Sequence, residues 1–247
     1  MRGLIGTLLW TLLAALSLDA AAAPVARLER VAVHGASLAG NLAGDPADRQ
    51  VTVFLPPSYA ASPKRRYPVL YLLHGYTDSD ERWFGLAGPH FVNVPTAADR
   101  AFAAGTRDVI IVMPNAYTRY QGSMYSNSAV TGDWESFVAR ELVAYVDRHY
   151  RTLATRASRG LAGHSMGGYG AVRIGMKYPE VFSSLYAMSP CCMGANLQPS
   201  LEAMGRAAKV QTDEDLQKAD FGTKAMSPRP RRGRRIRAIR RAISTCR

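Results

Sequence analysis

The chain has 247 residues, long enough for one α/β domain with a substantial core, or at most two small ones. Its composition, 47% hydrophobic and 20% charged, is that of an ordinary globular protein. The net charge of +12 does not mark a basic domain, because nine arginines fall within residues 227–247 and removing them leaves +3 for everything upstream.

Residues 1–23 have the pattern of a secretory signal peptide: Arg2, an uncharged apolar run from Gly3 to Leu18, Asp19, and an alanine cluster ending at Ala23. The run is shorter than the roughly 20 residues a membrane span needs. The expectation is a secreted or periplasmic chain with no membrane span after signal cleavage. Leu28 to Val33 and Val51 to Leu55 read as strands separated by a Gly/Asp/Pro turn region. Pro68 to Leu73 is a continuous apolar run, suited to a strand buried on both faces, and it ends at His74-Gly75. A polar loop with Asp78, Asp80, Glu81 and Arg82 leads to Trp83-Phe84, and Ala97 to Ala104 is helix-like. Val109 to Met113 is a second buried strand, stopped by Pro114, and a long loop runs from Asn115 to Thr131. Gly132 to Tyr150 places Trp134, Phe137, Leu142, Val143 and Val146 at helical spacing. Arg159 to Gly163 forms a short buried strand, Met166 to Tyr178 a helix stopped by Pro179, and Phe182 to Met188 a further strand. Strands alternating with helices predict an α/β architecture: a mostly parallel sheet with helices on both faces. Leu201 to Val210 and Asp213 to Lys218 are helical in pattern, and after Met226 the composition breaks into an Arg/Pro-rich tail.

Gly163-His164-Ser165-Met166-Gly167 fits G-x-S-x-G, the nucleophile elbow. The motif implies a geometry: a strand ends, the chain turns sharply under strain, and a helix begins with the serine hydroxyl exposed at the tip. Glycines two residues either side keep Cβ atoms out of a turn where strand and helix come close. The competing reading is a Gly-rich connection without chemistry. The flanking strand and helix patterns favour the elbow.

With these stretches in view, the chain resembles the esterase D family of the α/β-hydrolase fold, which includes S-formylglutathione hydrolases, feruloyl and acetylxylan esterases, and mycobacterial mycolyltransferases. The resemblance is carried by Tyr67–Trp83 (YPVLYLLHGYTDSDERW), Val109–Pro114 (VIIVMP), Gly132–Thr152 (GDWESFVARELVAYVDRHYRT), Arg159–Ala171 (RGLAGHSMGGYGA) and Tyr186–Cys192 (YAMSPCC). It implies Ser165 as nucleophile, with the backbone N–H groups of Met166 and Tyr76 as the oxyanion hole. It makes His74 and His164 scaffold or pocket residues rather than bases. Trp83, Trp134, Tyr117, Tyr120 and Tyr125 lie in or near loops that could line an acyl or sugar pocket, and packing in the core is the equally weighted alternative. No residue implies a cofactor or metal. Cys191, Cys192 and Cys246 do not form a disulfide framework, and no Cys/His spacing suggests zinc.

The α/β-hydrolase triad runs Ser, then Asp or Glu, then His. The five histidines here are His34, His74, His90, His149 and His164, and none follows Ser165. Residues 24–226 are therefore expected to be an incomplete α/β-hydrolase domain lacking its last strands. Residues 227–247 are expected to be an aberrant or disordered tail, in the composition of an out-of-frame reading. The function expected is a secreted serine esterase acting on a small-molecule or carbohydrate ester, with doubtful activity in this chain. The alternatives are an acyltransferase to a sugar and a non-catalytic binding protein that keeps the pocket. No specific nucleic-acid partner is expected, and the oligomeric state is left open.

Overall fold

A computed structural model describes residues 25–193, 201–220 and 223. The leader expected at 1–23 and the tail expected at 227–247 lie outside the described residues. The chain divides into two compact units, with the break between Cys191 and Cys192.

The first unit is built on a six-stranded sheet in the order β1-β2-β4-β3-β7-β8. Its strands are β1 (Arg27–His34), β2 (Asp48–Leu55), β3 (Val69–Leu73), β4 (Ile110–Pro114), β7 (Arg159–His164) and β8 (Ser184–Met188). Strands β4, β3, β7 and β8 run parallel, while β2 is antiparallel to both β1 and β4. A two-stranded ribbon, β5 (Asn127–Ser128) and β6 (Gly132–Asp133), lies outside the sheet. The helices are α1 (Ser58–Ala61), α2 (Asp80–Trp83), α3 (Val94–Ala103), α4 (Trp134–Ser136), α5 (Val143–His149) and α6 (Met166–Lys177).

The pleat decides which side chain meets which layer, since alternate residues point to opposite faces. Val53, Tyr71, Leu73, Val112 and Leu161 join one core with Phe137, Val146, Ala171 and Ile174 from the α4–α5 and α6 segments. Phe54, Leu72, Ile111, Met113 and Ala162 join the other with Trp83, Phe84, Val94 and Ala98 around α2 and α3. Helices thus cover both faces, and β3 and β4 read as unbroken apolar runs because both of their faces are buried.

Three expected elements are altered. The helix expected from Ala97 starts at Val94, because the Asn93 side chain accepts from the Thr96 N–H and Pro95 suits the first turn. The polar stretch after Asp78 winds into α2, capped by the Ser79 side chain accepting from the Arg82 N–H. The helix expected over 132–150 is not continuous: Gly132 and Asp133 belong to β6, and Phe137–Leu142 winds as a π-helix between α4 and α5. Helix α6 is tied to this region by buried Glu135, which pairs with Arg173 at 2.6 Å and Lys177 at 2.7 Å.

Strand β8 closes the described sheet, and its Leu185 and Tyr186 are exposed. In the second unit, α7 (Leu201–Ala208) carries a Glu202–Arg206 pair, and α8 (Asp213–Lys218) starts from a Thr212/Asp215 capping box. No helix among the described residues is long and apolar enough to cross a membrane.

Candidate active site

Strands β3 and β7 are parallel neighbours in register Leu73↔Gly163. Their C-terminal ends therefore deliver His74-Gly75-Tyr76 and His164-Ser165 to the same edge, where open α/β sheets bind ligands. Ser165 links β7 to α6 at φ 53°, ψ −113°, a conformation L-residues rarely adopt and one that costs about 1–3 kcal/mol. Its backbone is fixed on three sides: its N–H donates to Met188 O at 2.9 Å, and its carbonyl accepts from Tyr169 N at 3.0 Å and Cys191 N at 3.1 Å. Although Ser165 occupies the N-cap position of α6, its hydroxyl makes no capping bond. The usual role of a serine at that position is left unused, so Oγ stays available for chemistry.

The elbow glycines are required by approach distances. A Cβ on Gly163 would lie 2.2 Å from Gly167 O, and one on Gly167 would lie 2.0 Å from Leu73 O. Gly75 sits against the elbow as well, its Cβ position 3.7 Å from both Ser165 Cβ and His164 O. Tyr76 and Met166 come together over Gly122, whose Cβ position would lie 2.6 Å from Tyr76 Cδ2 and from Met166 Sδ. Ser165, Tyr76 and Met166 are thus gathered at one place. As the first residue of α6, Met166 has an N–H beyond the reach of the helix's own carbonyls.

The loop carrying Tyr76 is held by buried His74. A carbonyl can only accept, so His74 Nδ1–H donates to Gly75 O at 2.8 Å, and Nε2 accepts from Ala116 N–H at 2.8 Å. Both ring nitrogens are occupied with the ring neutral. Burial pushes the His74 pKa below its ordinary 6.5, partly opposed by the bond to Gly75. The unfolded chain therefore takes up a proton near pH 6.5 that the folded chain refuses, so stability rises with pH there. The His74 contribution is complete above about pH 6.5 and declines as pH falls below it. Melting temperature is expected to drop from pH 7.5 to pH 5, and less steeply in His74→Gln, itself less stable throughout. An equal slope in both proteins would contradict this.

The remaining histidines are placed differently. His34 pairs with Asp48 on an exposed part of β1 and β2, and His149 donates to Tyr145 O in α5. His90 is held in the cleft: Nε2 meets Asp78 Oδ2 at 3.0 Å, and Nδ1 faces the Val92 backbone. His164, on the β7 face that meets α2, stands 6.2 Å from the Trp83 ring and 5.5 Å from the Phe91 ring. Of the aromatics considered for the pocket, Trp134 and Tyr125 are core. They are fully buried edge to face, 6.3 Å apart, and Tyr125 also packs on His74. Positive φ at Gln121, Met124 and Tyr125 folds this loop back under the site. Tyr117 is exposed and Tyr120 half-buried, and neither lines the cleft. Trp83 backs it.

The cleft holds about 330 Å³ and is bordered by Tyr76, Asp78, Arg82, Phe91, His164 and Ser165. Asp78 organises one side. Buried itself, it accepts from Trp83 Nε1 at 2.6 Å, His90 Nε2 at 3.0 Å and Ser79 N at 2.9 Å. Sequence reasoning missed Asp78, His90 and Phe91 as a group. The available signal was a carboxylate two residues past Tyr76 and five before Trp83. Among the described residues no group of three His, Cys, Asp or Glu side chains could hold a metal.

A family model described as "Putative esterase" matches residues 46–226. An esterase of Mycobacterium tuberculosis is 37% identical over 136 residues, which are 54% of this chain and 27% of that protein. An endo-1,4-beta-xylanase/feruloyl esterase of Xylanibacter ruminicola is 31% identical over 136 residues, 53% of this chain and 18% of that one. The chain thus spans about a quarter or less of the length of these curated relatives. Among solved structures, a ferulic acid esterase matches with a TM-score of 0.59 at 27% identity, covering 82% of this chain and 75% of its own.

Proposed function

Because the chain belongs to the esterase family whose model spans residues 46–226, we propose that it is a serine carboxylic-ester hydrolase working through an acyl-Ser165 intermediate. Ser165 Oγ attacks the ester carbonyl, and the oxyanion that forms is met by the backbone N–H groups of Met166 and Tyr76. Collapse expels the alcohol and leaves the acyl group on Ser165, and water then releases the acid. The observation that carries this reading is the strained Ser165 backbone with its hydroxyl unused for capping, beside the Tyr76 loop. The relatives named for feruloyl and ferulic acid esters support a carboxylic ester as substrate. The leader pattern in residues 1–23 supports action outside the cytoplasm, where cell-wall and environmental esters are found.

The proton of Ser165 has no assigned acceptor. Both ring nitrogens of His74 and of His90 face other groups, and no histidine follows Ser165 in the 247 residues. Loss of a triad base costs on the order of 10⁶ in kcat, leaving about 10³–10⁴ over water from the oxyanion hole and binding. We therefore assign this chain slow, serine-dependent turnover. The same observation favours, as second reading, a binding protein that retains the cleft. Release of p-nitrophenol from p-nitrophenyl acetate by the full chain and by Ser165→Ala separates the two. Release that falls to the protein-free rate in the variant supports the esterase, and equal release by both proteins removes it.

A further inference from the structure

We propose that the cleft selects esters that carry a carboxylate, and that Arg82 is the specificity-determining residue that receives it. That the ligand is an ester rests on the serine-hydrolase reading above, whereas the anion-binding side chain stands on its own geometry. Besides its histidines, the cleft is lined by two charged side chains, Asp78 and Arg82, and their situations differ. Asp78 is buried and both of its oxygens are engaged: Oδ1 accepts from Ser79 N–H, and Oδ2 from Trp83 Nε1 and His90 Nε2. Its charge is satisfied within the wall of the cleft.

Arg82 is exposed, and its guanidinium has no hydrogen bond or ion pair among the described residues. The two acidic residues just before it do not compensate it, because Asp80 and Glu81 both pair with Arg30 of β1. The backbone beneath Arg82 is nevertheless fixed. Its N–H donates to the Ser79 side chain at 3.4 Å, its carbonyl accepts from Gly85 N at 3.2 Å, and Trp83 beside it is buried. The cleft thus presents one unopposed cation on an anchored turn, at the same opening as Ser165. A guanidinium is a planar cation whose paired N–H groups match the two oxygens of a carboxylate, and such a bond is roughly twice as strong as one between neutral groups. A single unopposed positive charge also steers anions toward the opening. A carboxylate fits better than a phosphate, since a dianion would leave one negative charge unmatched beside Asp78. A cleft of about 330 Å³ is at the small end of ligand sites and suits a short ester with one charged end. The substrate class is then the half-ester of a small dicarboxylic acid, with the esterified carboxyl at Ser165 and the ionised one on Arg82.

Monomethyl succinate and dimethyl succinate differ by one methyl group and one negative charge. Binding of each to full-length Ser165→Ala protein is measured by isothermal titration calorimetry at low salt, with and without Arg82→Gln. Monomethyl succinate is expected to bind about fivefold to tenfold more tightly than the diester. Arg82→Gln should bring the two affinities together, and Arg82→Lys, which keeps the charge without the planar fork, should restore part of the preference. Melting curves with and without Arg82→Gln should coincide, since the guanidinium is exposed. No measurable binding of the monoester, equal affinities for the two esters, or a preference that survives Arg82→Gln would overturn the inference. Arg82-dependent binding without serine-dependent release of p-nitrophenol would leave this inference standing and remove the esterase reading. Serine-dependent release with an Arg82-independent affinity for the monoester would do the reverse.

Discussion

Gly167→Ala is expected to prevent the domain from folding. The added Cβ would lie 2.0 Å from Leu73 O, 2.5 Å from Leu73 C and 2.8 Å from His74 O. These are backbone atoms of β3 and the loop after it, paired to β4 and β7 in the sheet. No side-chain rotation relieves the clash, so α6 must move away from the sheet. Separating them would open the core that Ala171 and Ile174 share with Tyr71 and Leu161. Destabilisation above about 4 kcal/mol belongs to this class of change and would consume most of the stability of an ordinary domain. Gly175→Ala is the internal control. Its Cβ also meets atoms at 2.4 Å, but these are Leu185 Cδ1 and Cδ2, the far end of an exposed side chain that can swing away. Its cost should be only about 1–2 kcal/mol. Soluble yield and thermal melts of the two variants check the contrast, and a folded Gly167→Ala protein would contradict the elbow geometry.

The second large effect concerns pH. A histidine base gives a rate that levels off once the imidazole is neutral, near pH 7. Here His74 is locked neutral between Gly75 O and Ala116 N–H, and His90 is held by Asp78 and Val92. On the proposed reading, in which no histidine takes the Ser165 proton, hydroxide does so. The serine-dependent release of p-nitrophenol is then expected to rise about tenfold per pH unit from pH 7 to 9, without a plateau. Over that window the increase is about 100-fold. A plateau above pH 7 that disappears in His164→Ala would show instead that the cleft histidine accepts the proton.

The sheet and the elbow were legible for the same physical reason: close approach restricts which residues fit. Strands β3 and β4 are buried on both faces and so are unbroken apolar runs, and the spacing of Gly163 and Gly167 records where backbone meets backbone. The aromatics of the 115–131 loop were not legible. Tyr125 is fully buried because positive φ at Met124 and Tyr125 turns the loop inward, and no periodicity signals such a turn. The Asp78–His90–Phe91 wall was hidden because its contacts join Asp78 to His90, 12 residues on, and Trp83 to Phe91, 8 residues on, through an irregular loop. The break in the 132–150 helix was hidden too. Gly132, at φ +97° against Leu38, belongs to the ribbon, although the apolar spacing beyond it suits a helix. The absence of a histidine after Ser165 was plain in the sequence, and the fold adds that His74 and His90 have their nitrogens engaged elsewhere.

Ser165 as nucleophile is the central proposal, and covalent trapping tests it most directly. The full chain is incubated with an alkyl fluorophosphonate at pH 8 and digested, and its peptides are analysed by mass spectrometry. A single phosphonyl adduct on the peptide containing Ser165, absent from Ser165→Ala, is the predicted result. Modification of another residue at equal or greater yield, or an adduct that persists in Ser165→Ala, would contradict it.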